Sequence, residues 1–244
     1  MTDIDTGGWI RVYRPPAGGP RLFCFPHAGG AASYFYPWSR ALRDVEVLAV
    51  QYPGRQDRAA EPFVHGIPEL ADRIHEALAG QLDGPYAFFG HSMGAVLAFE
   101  VACRIAADGQ PGPVHLFASG QRAPSRVKHE VLHRATTEEL VAEMRTLGGT
   151  DPRVLADPHL LELVLPIIRA DYTAVETYRY ADAPPLDCAV TALIGDADPN
   201  VSVDEAQSWA DHTRGRFALR AFPGGHFYLE DCRAGVFDVL CSAL

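Results

Sequence analysis

Short runs of apolar, β-branched or aromatic residues bounded by Gly and Pro recur at Arg21–Phe25, Val45–Tyr52, Tyr86–Phe89, Val114–Ser119, Ala189–Ile194 and Phe217–Phe222. They lack polar alternation, as expected of strands covered on both faces. Between most of them lie segments with helical periodicity: Ala32–Leu42, Pro68–Leu82, Ala95–Ala107, Val203–His212 and Cys232–Leu240. Strand alternating with helix predicts right-handed crossovers and an α/β fold, a mostly parallel sheet with helices on both faces.

One stretch breaks the alternation. Residues 125 to 185 hold no strand-like run but three helical patterns, Glu138–Leu147, Pro158–Arg169 and Ala170–Tyr180. An insertion of this length exceeds an ordinary crossover, so a helical lid is expected over the C-terminal edge of the sheet, where ligands bind. Pro166 inside a helical pattern implies a kink or break. The apolar positions of the lid, among them Leu140, Met144, Leu160, Leu163 and Ile168, are assigned mostly to packing. With no linker, repeat or low-complexity tract, residues 1–244 are expected to form a single domain.

The third apolar run leads directly into Gly90-His91-Ser92-Met93-Gly94 and then into a helical pattern. This is G-x-S-x-G in the strand–turn–helix context of a nucleophile elbow, with Ser92 raised at a helix N-terminus. Such a serine needs a base, and the base needs a carboxylate; on an α/β-hydrolase sheet they follow in the order serine, acid, histidine. His226 occupies the slot for the base, after the run Phe217–Phe222 and the turn Pro223-Gly224-Gly225. The run Ala189–Ile194 ends in Gly195-Asp196-Ala197-Asp198-Pro199, and Asp198 is favoured over Asp196 as the acid. For the oxyanion, the expected backbone donors are Met93 and Ala28, the latter in the loop Phe25-Pro26-His27-Ala28-Gly29-Gly30. His91 is expected to point away from Ser92, and the seven histidines other than His27, His91 and His226 to be surface or capping residues.

Bulk properties narrow the partners. The formal charge of −10 argues against nucleic acid and anionic membrane surfaces. Of the 21 basic residues only Lys128 is a lysine, so docking of an acidic partner would need a local arginine patch. Met1–Asp5 begins no signal peptide, and nowhere do about 18 apolar residues run together. A cytoplasmic, monomeric protein is the expectation. The five scattered cysteines read as buried thiols. No metal site or cofactor is implied: there is no H-E-x-x-H, C-x-x-C, dinucleotide fingerprint or P-loop.

Together, Phe25 to Gly30, Gln51-Tyr52-Pro53-Gly54-Arg55 with Arg58, Gly90 to Gly94, Gly195 to Asp198 and Gly224-Gly225-His226-Phe227 resemble the stand-alone type II thioesterases of polyketide synthase and non-ribosomal peptide synthetase systems. The resemblance spans roughly residues 20 to 240. It implies an α/β-hydrolase core with a helical lid, hydrolysing acyl groups from the phosphopantetheine arm of acyl or peptidyl carrier proteins, and an editing role that clears stalled or misprimed units. By position it gives Ser92, Asp198 and His226 the triad roles and Ala28 and Met93 the oxyanion roles. The chain contains no Asp-Ser-Leu attachment site, so the carrier is expected on another chain. Arg55 and Arg58 are expected as surface or ion-paired arginines rather than docking residues. The alternatives are a small-molecule carboxylesterase or lipase, a terminal releasing thioesterase, and a non-catalytic binding module on a hydrolase scaffold.

Overall fold

The computed structural model describes residues 8–15, 18–126, 128 and 131–244. His129 and the stretch Met1–Asp5 discussed above lie outside the described residues. The strands are β1 (Ile10–Val12), β2 (Arg21–Phe25), β3 (Glu46–Val50), β4 (Tyr86–His91), β5 (His115–Ser119), β6 (Ala189–Gly195) and β7 (Phe217–Phe222). The helices are α1 (Tyr36–Ala41), α2 (Ile67–Leu78), α3 (Met93–Ala107), α4 (Thr137–Leu147), α5 (Pro152–Ala156), α6 (Pro158–Thr177), α7 (Val203–Gln207), α8 (Tyr228–Asp231) and α9 (Arg233–Cys241). The strands form one sheet in the order β1-β3-β2-β4-β5-β6-β7, parallel throughout except for β1.

Both faces of the inner strands β2 to β6 are covered, which is why they read as continuous apolar runs. The edge strand β7, expected to be buried as well, has no fully buried residue, and Arg220 and Ala221 are exposed. Successive side chains alternate between two cores. Phe23, Phe25 and Phe88 enter the core made with α2 and α3, whereas Leu22, Cys24 and Phe89 enter the core made with α1 and α9. Six of the seven strands are those expected from the sequence, with ends moved by one or two residues. The seventh, β1, was not legible: it is a three-residue, half-exposed edge strand pairing antiparallel with β3. Too short for a periodic signal, it is specified by its neighbour's backbone.

The segment between β5 and β6 carries α4, α5 and α6 around a small apolar cluster that includes Leu140, Met144, Leu155 and Ile168. Here the structure corrects the sequence reading. The two patterns Pro158–Arg169 and Ala170–Tyr180 are one helix of 20 residues, continuous through Pro166. Pro166 removes one internal hydrogen bond, but it and Glu162, whose carbonyl loses the donor, are both exposed, so water can satisfy that oxygen. Asp157 caps the helix by accepting from the amides of His159 and Leu160, with Pro158 at its first position. Leu160 and Leu163 are exposed rather than packed, Leu163 by 69%. The expected helix Ala32–Leu42 is a 3-10 turn followed by α1, and Val203–His212 is α7 followed by another 3-10 turn.

His212 is buried against the rings of Phe99 and Tyr180 and hydrogen-bonded to Ser125 Oγ at 2.9 Å, so it is neither a surface nor a capping residue. Of the cysteines, all free, only Cys24 is buried; Cys241, near the C-terminal end of α9, is exposed. Among the described residues no helix is long and apolar enough to cross a membrane.

Candidate active site

Ser92 stands between β4 and α3 with φ 54° and ψ −123°, one of three described non-glycine residues at positive φ. A side chain there is strained, and the surrounding turn must impose it. Both flanking glycines are required sterically. A Cβ on Gly90 would lie 2.1 Å from the carbonyl oxygen of Gly94, and one on Gly94 would lie 2.1 Å from that of Phe25. The Ser92 amide is anchored to the Ser119 carbonyl at 2.8 Å, which ties the elbow to β5.

The loops after β6 and β7 are laced together. Asp196 N–H donates to the Phe222 carbonyl at 2.8 Å, Ala197 N–H to that of Gly224 at 2.9 Å, and Gly224 N–H to Asp196 Oδ1 at 3.0 Å. Gly195 makes the approach feasible, since a Cβ on it would meet the carbonyl oxygen of Gly225 at 2.2 Å. Within this frame His226 Nδ1–H donates to Asp198 Oδ2 at 2.8 Å. The other Asp198 oxygen accepts the Asn200 amide at 2.9 Å, a local turn that fixes the carboxylate. Asp196 is thus the loop's stay and Asp198 the partner of the imidazole.

Ser92, His226 and Ala28 line one cavity of about 130 Å³, together with Met144, Ile168 and Tyr172 from the insertion. Among the described residues no hydrogen bond joins Ser92 to His226; with Nδ1 held by Asp198, Nε2 is the nitrogen free of that carboxylate. Such pairs commonly tighten when substrate binds. Arg122, Arg126, Lys128 and Arg179 also line the cavity, a local concentration of positive charge in a chain of net charge −10.

Two other histidines sit against the site. His91 packs on the His226 ring with centroids 5.0 Å apart and bonds Ser119 Oγ at 2.9 Å, which in turn bonds Tyr228 Oη at 2.7 Å. Burial, with the neighbouring His226 and His27 rings adding to it, pushes the His91 pKa well below the ordinary histidine range. Burial likewise lowers His27 to about 3, with His226 and Arg55 contributing. Both rings are neutral, so they pack beside His226 without adding charge of their own.

Of the two readings expected for Arg55, surface or ion-paired, the structure shows the second, and buries the pair: Arg55 forms a bidentate contact with Asp171 of α6, with Nη1–Oδ2 at 2.6 Å and Nη2–Oδ1 at 2.8 Å. The two side chains are 5% and 3% exposed. Asp171 Oδ2 also accepts the Gly29 amide at 2.7 Å, and Arg55 Nη1 donates to the Gly30 carbonyl at 3.0 Å. Arg58 is also buried, paired with Glu61 and lying over the Trp9 ring. Nothing in the spacing of Arg55 and Asp171, 116 residues apart, signals the pair.

Residues 20–242 match the thioesterase domain family. The chain is 48% identical to thioesterase PikA5 of Streptomyces venezuelae over 95% of its own length and 85% of that protein's. Among solved structures it resembles the type II thioesterase BorB from the borrelidin biosynthetic cluster, with TM-score 0.91 and 46% identity, covering 100% of this chain and 98% of that one. It also resembles YbtT, a type II thioesterase from the yersiniabactin NRPS/PKS pathway, with TM-score 0.85 and 28% identity over 95% and 96% of the two chains. The mostly parallel sheet with helices on both faces, the elbow serine and these likenesses agree: the chain belongs to the thioesterase family, among the type II thioesterases of polyketide and non-ribosomal peptide biosynthesis.

Proposed function

We propose that the protein hydrolyses acyl thioesters on the phosphopantetheine arm of carrier proteins, with Ser92 as nucleophile, His226 as general base, Asp198 as its orienting acid, and the amides of Ala28 and Met93 as oxyanion donors. The observation that carries this reading is the 2.8 Å contact between His226 and Asp198 in the wall of the cavity that Ser92 also lines. Asp198 keeps the proton on Nδ1, so Nε2 can accept the hydroxyl proton as Ser92 Oγ attacks the carbonyl carbon. Collapse of the tetrahedral adduct breaks the C–S bond, and His226 returns the proton to the departing thiolate. Water then attacks the acyl-serine with the same base, releasing the acid and restoring Ser92.

The oxyanion assignment has independent support. The Met93 amide opens α3, where no intrahelical acceptor exists for it. Of the small residues in the loop after β2, Gly29 and Gly30 spend their amides on Asp171 and the His27 carbonyl. Ala28 retains a donor and lines the cavity. The insertion carrying α4 to α6 acts as the lid and acyl pocket of one α/β-hydrolase domain, and the cations lining the cavity suit a substrate bearing a phosphodiester.

Hydrolysis of a panel of acyl-carrier thioesters beside matching oxygen esters tests the proposal. Carrier thioesters should turn over faster, and Ser92→Ala should abolish turnover. Faster cleavage of simple oxygen esters would instead identify a carboxylesterase, and failure of a serine-directed fluorophosphonate to label Ser92 would remove the nucleophile.

A further inference from the structure

The ion pair between Arg55 and Asp171 is costly by location. Both groups are withdrawn from water, and a buried pair of this kind commonly confers no more stability than apolar residues of the same volume. Stability therefore does not explain it. What the pair does uniquely is grip the peptide groups of the loop after β2 from both sides, through the Gly29 amide and the Gly30 carbonyl.

The grip comes from the insertion. Asp171 lies one turn after Ile168 on the same face of α6. Ile168 Cγ1 stands only 2.8 Å from where a Cβ on Gly29 would be, and Gly29 holds φ at +77°. A side chain at position 29 would have to displace Ile168 and would be strained at this φ. The Gly29 amide, adjacent to that of Ala28, is therefore directed by a carboxylate 142 residues away.

We propose that Asp171 is a positioning residue for hydrolysis: held by Arg55, its carboxylate fixes the Gly29 amide and thereby aims the neighbouring Ala28 amide at the cavity. This rests on the reading of Ala28 as an oxyanion donor. It makes the seating of α6 on the loop a condition of catalysis, because withdrawing the helix withdraws the acceptor. Since the carboxylate reaches the oxyanion only through the loop, its loss should lower kcat and leave KM nearly unchanged.

Two double variants separate positioning from stability. Arg55→Met with Asp171→Leu removes both charges and the acceptor; Arg55→Met with Asp171→Asn removes the charges but keeps an oxygen for the Gly29 amide. Melting temperature, kcat and KM are measured on an acetyl-carrier thioester for the full-length protein and both variants. The leucine pair should melt near the parent yet lose roughly ten- to a hundredfold in kcat with little change in KM, and the asparagine pair should recover most of that rate. Full kcat in the leucine pair, or equal losses in both pairs, would overturn the proposal. If the leucine pair does not fold, the asparagine pair decides: near-parental kcat supports positioning, and a loss as deep as a hundredfold refutes it. If the parent itself hydrolyses no thioester, the functional reading fails, and the rate of Ser92 modification by a fluorophosphonate then decides the positioning claim. Slower modification of the leucine pair alone supports it; equal rates, or no modification at all, refute it.

Discussion

The carboxylate of Asp198 and the imidazole of His226 face each other at 2.8 Å with side-chain exposures of 0% and 5%. Asp196, two residues earlier, is spent on the Gly224 amide. Asp198→Asn should therefore lower kcat by roughly three to four orders of magnitude, because the amide permits the wrong imidazole tautomer. Asp196→Asn keeps an oxygen for Gly224 and should stay within about threefold of the parent. Steady-state kinetics on one thioester substrate compares them; equal losses would return Asp196 to contention.

Ser92 holds its place at the elbow with a backbone that favours glycine, at φ 54°. Ser92→Ala and Ser92→Gly should both be inactive, with kcat down by at least about ten-thousandfold. Only the glycine variant relieves the strain, so it should exceed the alanine variant in stability by about 1 kcal/mol. Urea denaturation of the pair measures the difference.

The buried histidines make stability depend on acid. His27 has its folded pKa at about 3 against an ordinary 6.5, so it stays neutral in the native state while the unfolded chain protonates. Its contribution is fully present above pH 6.5 and is lost as pH falls through the window down to about 3. The slope in that window is about 1.4 kcal/mol per pH unit for each such histidine, and His91 acts in the same direction. His27→Leu should show an acid limb shallower by about one proton. Urea titrations at neutral pH and near pH 5 test this; parallel acid limbs would count against it.

Arg126 and Arg179 line the cavity with side-chain N–H groups donated to Ser208 Oγ and to the carbonyls of Glu176 and Tyr178. If they greet the phosphodiester of a carrier arm, Arg126→Ala with Arg179→Ala should cut kcat/KM on carrier thioesters by about threefold to tenfold, more at low salt. Thioesters of N-acetylcysteamine, which carry no phosphate, should change less than about twofold. Equal effects on both substrates would assign the arginines to the fold.

Much of the site was legible because its signals are local. The elbow was readable because Gly90 and Gly94 admit no Cβ, and the loop of Asp198 because Gly195 must pass under the Gly225 carbonyl. The inner strands were readable because burial on both faces leaves unbroken apolar runs. The preference for Asp198 over Asp196 was local too, resting on Gly195 and Pro199, and the structure sets Asp198 against His226. Other features carried no local signal: α6 runs on through Pro166 because that residue is exposed. His91, Ser119 and Tyr228 meet only because the ends of β4 and β5 and the start of α8 come together beside His226.

Taken alone, the chain's residues determined the alternation of strand and helix, the turn that strains Ser92, and the positions from which an acid and a base could be delivered. Those follow from sterics and burial acting over a few neighbouring residues. The tertiary structure brought Asp198, the aspartate the sequence favoured, into contact with His226, and it set a buried carboxylate of the insertion against the Gly29 amide. Desolvation and hydrogen bonding act through space, and the partners they join here lie 28 and 142 residues apart along the chain.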